Sequence, residues 1–181
     1  MLKKVESSST ARLPEGKYLL VINALLFNIG WAACVLLRDQ IALFIALSIV
    51  LFHLFAITRL KREWLFIVTV LLLGLVVDRV MVRSGLLQPT ASEVSAILWM
   101  GALWPMLAST LNHSLAVLKD RMLFSALVGA VSGPFAYWTA VRLGAAEAGV
   151  AMPAFIVSLS LLWGLLLPLL YWLARKQLTV R

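Results

Sequence analysis

The chain has 181 residues, of which 62% are apolar and 13% charged, with a net charge of +8. Soluble domains run at roughly 45–50% apolar and about a quarter charged, and one this small could not hide so much apolar surface. The basic residues punctuate apolar runs instead of forming a face, which argues against a nucleic-acid partner, and the lone Cys34 excludes a disulfide framework.

The chain opens with a polar, basic tail over residues 1–17, followed by an apolar run. That is the outline of a signal peptide, but the run is long enough to span a bilayer and lacks an A-x-A-like cleavage site. The piece WAAC ending at Cys34 hints at a lipoprotein box, yet Trp31 stands where such boxes carry an aliphatic residue. The first run therefore reads as a retained helix.

A spanning helix needs about 20 mostly apolar residues. Six segments qualify, over about 18–37, 41–58, 64–82, 94–118, 122–141 and 154–174, and none alternates as a barrel strand does. The fold class is an all-α, six-helix transmembrane bundle over residues 18–174, with a basic tail at 175–181. Pro105 in the long fourth segment predicts a kink or a tilt. The connections are too short to form a separate soluble domain, so any chemistry belongs to the bundle or its mouths.

Charge gives the direction. One side collects Lys3, Lys4, Arg12, Lys17, Arg59, Lys61, Arg62, Lys119, Arg121, Arg175, Lys176 and Arg181. The other holds Arg38, Arg79, Arg83 and Arg142. Twelve against four places both termini in the cytoplasm by the positive-inside rule.

Small residues mark helix faces that approach closely in lipid. Helix four carries Gly101, Pro105, Ala108, Asn112 and Ala116 on one stripe, and helix five carries Ser125, Gly129, Gly133, Ala136 and Ala140. These stripes predict that helices four and five pack on each other, with an acyl-chain groove as the alternative. Pro134 frees one carbonyl in helix five, near Ala130.

The stretch His53–Arg59 (HLFAITR) aligns with His113–Lys119 (HSLAVLK), and these contain the chain's two histidines. A duplicated hairpin, helices two–three matching four–five, would place both histidines equivalently.

Ionisable residues inside spans are costly and point to function or to a partner. The cytoplasmic half gathers Asn23, His53, Glu63, Asn112, His113 and Ser114. Imidazole beside carboxylate can carry protons, so His113, Asn112, His53 and Glu63 are the candidate catalytic group, with interhelical hydrogen bonding as the plainer alternative. Consecutive Asn112, His113 and Ser114 splay over roughly 200° of a helix and cannot all face one site. No HxxxH, HExxH or cysteine pair is present, so no metal or other cofactor is expected. Asp78, Arg79 and Arg142 form a candidate polar entrance on the other side, or else Asp78 pairs locally with Arg79 and Arg83.

The pieces FNIGWAACVL, REW at Arg62–Trp64, the Asp78 helix, TLNHSLAVL at Thr110–Leu118 and GPFAYWTAVRLG at Gly133–Gly144 resemble the bacterial membrane family called domain of unknown function 2878. The resemblance covers nearly all of the chain from about residue 20. It implies a multi-pass protein of the bacterial inner membrane and brings no established reaction. Neighbouring lipid-modifying enzymes, such as cyclopropane fatty-acid synthases, add a lean toward lipid biology. Three function classes stay open: an intramembrane enzyme or accessory factor of lipid metabolism, a small permease, and a structural subunit. The expected partners are membrane lipids, with other membrane proteins or self-association beside them.

Overall fold

The computed structural model describes residues 15–58 and 60–178. Most of the basic N-terminal tail, Arg59 and Arg181 therefore lie outside the described residues. Six α-helices follow in order: α1 Glu15–Leu37, α2 Gln40–Phe52, α3 Glu63–Arg83, α4 Glu93–Leu111, α5 Met122–Arg142 and α6 Met152–Leu178. All six, counting α2 together with the turn that extends it to Ile57, are long and apolar enough to cross a membrane. A helix of 21 residues such as α3 spans ~30 Å, the thickness of a hydrocarbon core.

The outer surface is what a bilayer would solvate. Phe55, Leu123, Leu165, Val131 and Val94 stand 69–84% exposed. Side chains of this kind face water on no soluble domain in such density. The interior keeps the small and polar groups, including Asn23, His53, Glu63, Asp78 and Ser109.

Two helix ends depart from the regular pattern, and both matter for the site. After Phe52 the chain widens into a π-helical turn at His53–Ile57, closed by the Thr58 amide on the His53 carbonyl at 2.9 Å. Helix α4 stops at Leu111, well short of the expected 118. Asn112–Leu115 form a turn and Ala116–Leu118 one turn of 3-10 helix. The physical reason is local competition for the backbone. The Ser114 amide and hydroxyl both turn to the Asn23 side chain, which no continuous helix would allow. From α6, the Tyr171 hydroxyl then holds the Leu115 carbonyl at 2.9 Å.

Packing corrects the reading of the small-residue stripes. Helix α5 lies mainly on α6 and α4 on α3, α1 and α2, whereas α4 and α5 scarcely touch. Gly129 approaches the Trp163 backbone and Leu167, and Gly133 lies under the Trp163 indole. Gly101 of α4 faces Leu75 of α3. Every face of these helices is apolar enough for lipid, so small residues reveal close approach without naming the partner.

The duplication extends beyond the histidine segments. Each element of the hairpin α5–α6 begins 59 positions after its counterpart in α3–α4, at Glu63 and Met122 and at Glu93 and Met152. Between the helices, short strands β1 (Leu87–Pro89) and β2 (Ala146–Ala148) keep the same offset and pair antiparallel. Each follows an Arg-x-Gly turn whose glycine, Gly85 or Gly144, has φ of 72° or 73°, a region other residues rarely enter. The register sets Gln88 opposite its own counterpart Glu147, which defines a pseudo-two-fold axis along the helices. Further along that axis the counterparts Trp104 and Trp163 stack, with centroids 5.6 Å apart and planes 6° from parallel. Gly74 lies under Trp104 as Gly133 lies under Trp163. The histidines fall one position out of step, at the entry to each copy.

Candidate functional site

At the end where α3 begins, three elements bring one carboxylate between two imidazoles. Glu63 opens α3, where the free amides of a helix N-terminus favour negative charge. It is fully buried and stands 3.3 Å from His53 Nε2 and 3.0 Å from His113 Nε2, the latter equidistant from both carboxylate oxygens. The two rings meet edge to face at 4.6 Å. Thr58 is a further hydrogen-bonding neighbour of the carboxylate.

Asn23 of α1 decides the polarity of this cluster. Its Oδ1 accepts from the Ser114 hydroxyl at 2.7 Å and the Ser114 amide at 3.3 Å, while its Nδ2 donates to the Ser109 carbonyl at 3.2 Å. A backbone amide on one side and a carbonyl on the other leave the amide group a single orientation. The remaining Nδ2 hydrogen therefore points at His53 Nδ1, 3.3 Å away, which must accept it. His53 is held as the tautomer with hydrogen on Nε2, which lies 3.3 Å from Glu63 Oε2 without the alignment of a hydrogen bond. His113 has no such restraint and keeps 13% of its side chain exposed. The pair Glu63–His113 can thus hold and pass a proton, with His53, itself held by Asn23, close behind the carboxylate.

The same three side chains could be read as a metal site, because their ligand atoms lie within 4.8 Å of one another. The sequence motifs that argued against a metal concern ligands on one helix, and here three elements contribute. Hydrogen-bond polarity is the sharper test. A ligating imidazole turns a lone pair to the ion, whereas Asn23 leaves His53 Nε2 with a hydrogen there. The donor set fits acid–base work better than a cation.

Of the residues expected at this site, His113, His53 and Glu63 come together and Asn112 does not. Asn112 caps α4 with both amide atoms buried and unbonded among the described residues. With α4 ended, His113 and Ser114 do face one site, against the splay expected of a continuous helix. Asn23 takes the place foreseen for Asn112; it is the polar residue of α1 in this half, but its partners lie 30 to 91 positions away.

Of the expected entrance residues, Asp78 and Arg79 line one cavity of about 730 Å³ together with Arg83 and Glu93, and Arg142 is not part of its lining. Asp78 turns inward, 8% exposed, and accepts from Trp104 Nε1 at 2.8 Å, so no pair forms with Arg79 or Arg83. Arg79 instead meets Glu93 at 2.8 Å near the surface. Arg142 lies 6.0 Å from the Trp138 ring.

A cavity of about 560 Å³ joins these regions. It runs from Leu87 and Ala146 at the strand ribbon, past Asp78, to Thr110, Ser114 and Leu115. Its walls are α1, α4 and α5, with Asp78 of α3 and Trp163 and Leu167 of α6, and α1 and α5 make little contact with each other. The volume lies within the roughly 300–1,000 Å³ of ligand sites.

A six-span membrane protein with a buried histidine–carboxylate cluster and a long apolar cavity is the class that fold and site define. The chain belongs to the DUF2878 family of proteins of unknown function, whose model matches residues 20–169. No curated protein and no solved structure matches it.

Proposed function

We propose that this protein acts on membrane lipids, with an acyl chain in the cavity and Glu63–His113 as the acid–base pair at its inner end. One observation carries the reading. Ser114 lines the cavity and hydrogen-bonds Asn23, which in turn bonds His53, so the cluster sits one residue behind the cavity wall. A chain lying in the groove ends beside a group able to take or give a proton. The charge asymmetry supports an orientation with the Glu63 end in the cytoplasm.

A permease is the second reading, favoured by the parallel duplication with polar and aromatic groups on its axis near mid-span. Lipid profiles separate the two. A deletion strain complemented with His113→Gln should keep the altered lipid profile of the deletion, with the variant at normal abundance in the membrane. Gln preserves size and hydrogen bonding but carries no proton at this position. Full restoration of the profile by His113→Gln, or a deletion with no lipid change, would overturn the lipid reading.

A further inference from the structure

Asp78 is a carboxylate inside a membrane span with no cationic partner among the described residues. Only its Oδ2 is hydrogen-bonded, by the Trp104 indole, and its sequence neighbour Arg79 is engaged by Glu93. A carboxyl group so placed is expensive to ionise, and it keeps its charge only where something positive sits beside it.

The duplication supplies an internal control. The counterpart of Asp78 in the second copy is Tyr137, 26 positions before Trp163 as Asp78 is before Trp104. Tyr137 stands beside its tryptophan with ring centroids 6.3 Å apart. A neutral phenol therefore fills this position beside the indole in one copy, under the same stack and over the same kind of glycine. The charge at Asp78 exceeds what that packing requires.

What surrounds the carboxylate suits a cation with an apolar body. The cavity that Asp78 lines is also lined by Trp31, Trp99, Trp104, Tyr137 and Trp163. Aromatic faces attract ammonium groups, most strongly where water is excluded. From Asp78 the cavity continues between apolar side chains to Leu115, long enough for a hydrocarbon tail.

We infer that the cavity binds a long-chain amphiphile with an ammonium headgroup, the headgroup at Asp78 and the chain directed toward Ser114. This rests on the lipid reading of the cavity and names the headgroup class. The full-length protein in maltoside micelles can be titrated with two brominated chains of equal length, one ending in trimethylammonium and one in a hydroxyl. Bromine quenches the cavity tryptophans on binding. Wild type should bind the ammonium chain about tenfold more tightly than the alcohol. Asp78→Asn should lose that preference while still binding the alcohol. Equal affinity of wild type for both chains, or a preference retained in Asp78→Asn, would overturn the headgroup inference and leave the acyl cavity standing. Absence of quenching by either chain would remove the cavity reading and this inference with it.

Discussion

Asn23 is a single amide whose four hydrogen-bonding positions are all used inside the bundle. It ties α1 to the π-helical turn, to the end of α4 and to the turn that follows. Replacing it with Leu strands the Ser109 carbonyl, the Ser114 amide and His53 Nδ1 away from water. Each unsatisfied buried group costs ~1–3 kcal/mol. Asn28, one turn further along α1, only bonds back to the Ala24 carbonyl of its own helix at 2.8 Å. Asn23→Leu should therefore lower the thermal midpoint in detergent by several degrees and Asn28→Leu by little. Equal losses would remove Asn23 as the residue that sets the histidine tautomer. The residue types of the site were legible as rare polar groups in apolar runs. Their partners were not, because a hydrogen bond across 30 or 91 positions leaves no local spacing to read.

The glycines carry the packing of the hairpins. A Cβ on Gly74 would fall on the Trp104 indole, and one on Gly133 on the Trp163 indole, while the two indoles brace each other by stacking. At Gly164 the added atom would meet only Ala130 at 3.4 Å and a carbonyl at 3.6 Å. Overpacking costs ~1–3 kcal/mol, whereas Ala in a helix interior gains up to ~1 kcal/mol over Gly. Gly74→Ala and Gly133→Ala should each lower the thermal midpoint, and Gly164→Ala should hold or raise it. A neutral result at Gly133 would show that the tryptophan stack yields freely. Gly144 is no neutral comparison site, because its positive φ strains any other residue there whatever the space. The close approach at Gly129 and Gly133 was visible as a GxxxG pattern. That it serves α6 and not α4 was hidden, since only the indole of Trp163 distinguishes the two partners. The histidine segments, 60 positions apart, pointed to helices two–three matching four–five. The repeat at an offset of 59 instead joins α3–α4 to α5–α6, and its clearest sign was the Arg-x-Gly turn before each strand, at Arg83–Gly85 and Arg142–Gly144.

At the scale of the whole molecule, hydrophobicity is local and the six spans could be counted directly; their sidedness depends on charge. Among the described residues, the structure groups cations by end in the same way. Arg38 reaches the Gly144 carbonyl at the strand ribbon, so Arg38, Arg83 and Arg142 share one end. Arg175 bonds the Lys119 carbonyl and lies 3.6 Å from Asp120, so the α4–α5 connection shares the other end with the α6 terminus. We propose, from the excess of Lys and Arg in its short connections, that this end stays in the cytoplasm during insertion. Reporter fusions after Lys61, Lys119 and Arg175 should therefore report the cytoplasm, and fusions after Gln88 and Glu147 the opposite compartment. Because Gln88 and Glu147 pair across the pseudo-two-fold axis, their fusions must agree with each other whatever the orientation. A split between those two would break the duplication. A uniform inversion of all five reporters would keep the fold and move the Glu63–His113 pair to the outer face, away from any soluble cytoplasmic donor of protons or groups. The pattern with Lys61 and Lys119 inside keeps that pair at the cytoplasmic mouth and sets Asp78, about 22 Å further along α3 at a rise of ~1.5 Å per residue, toward the outer leaflet.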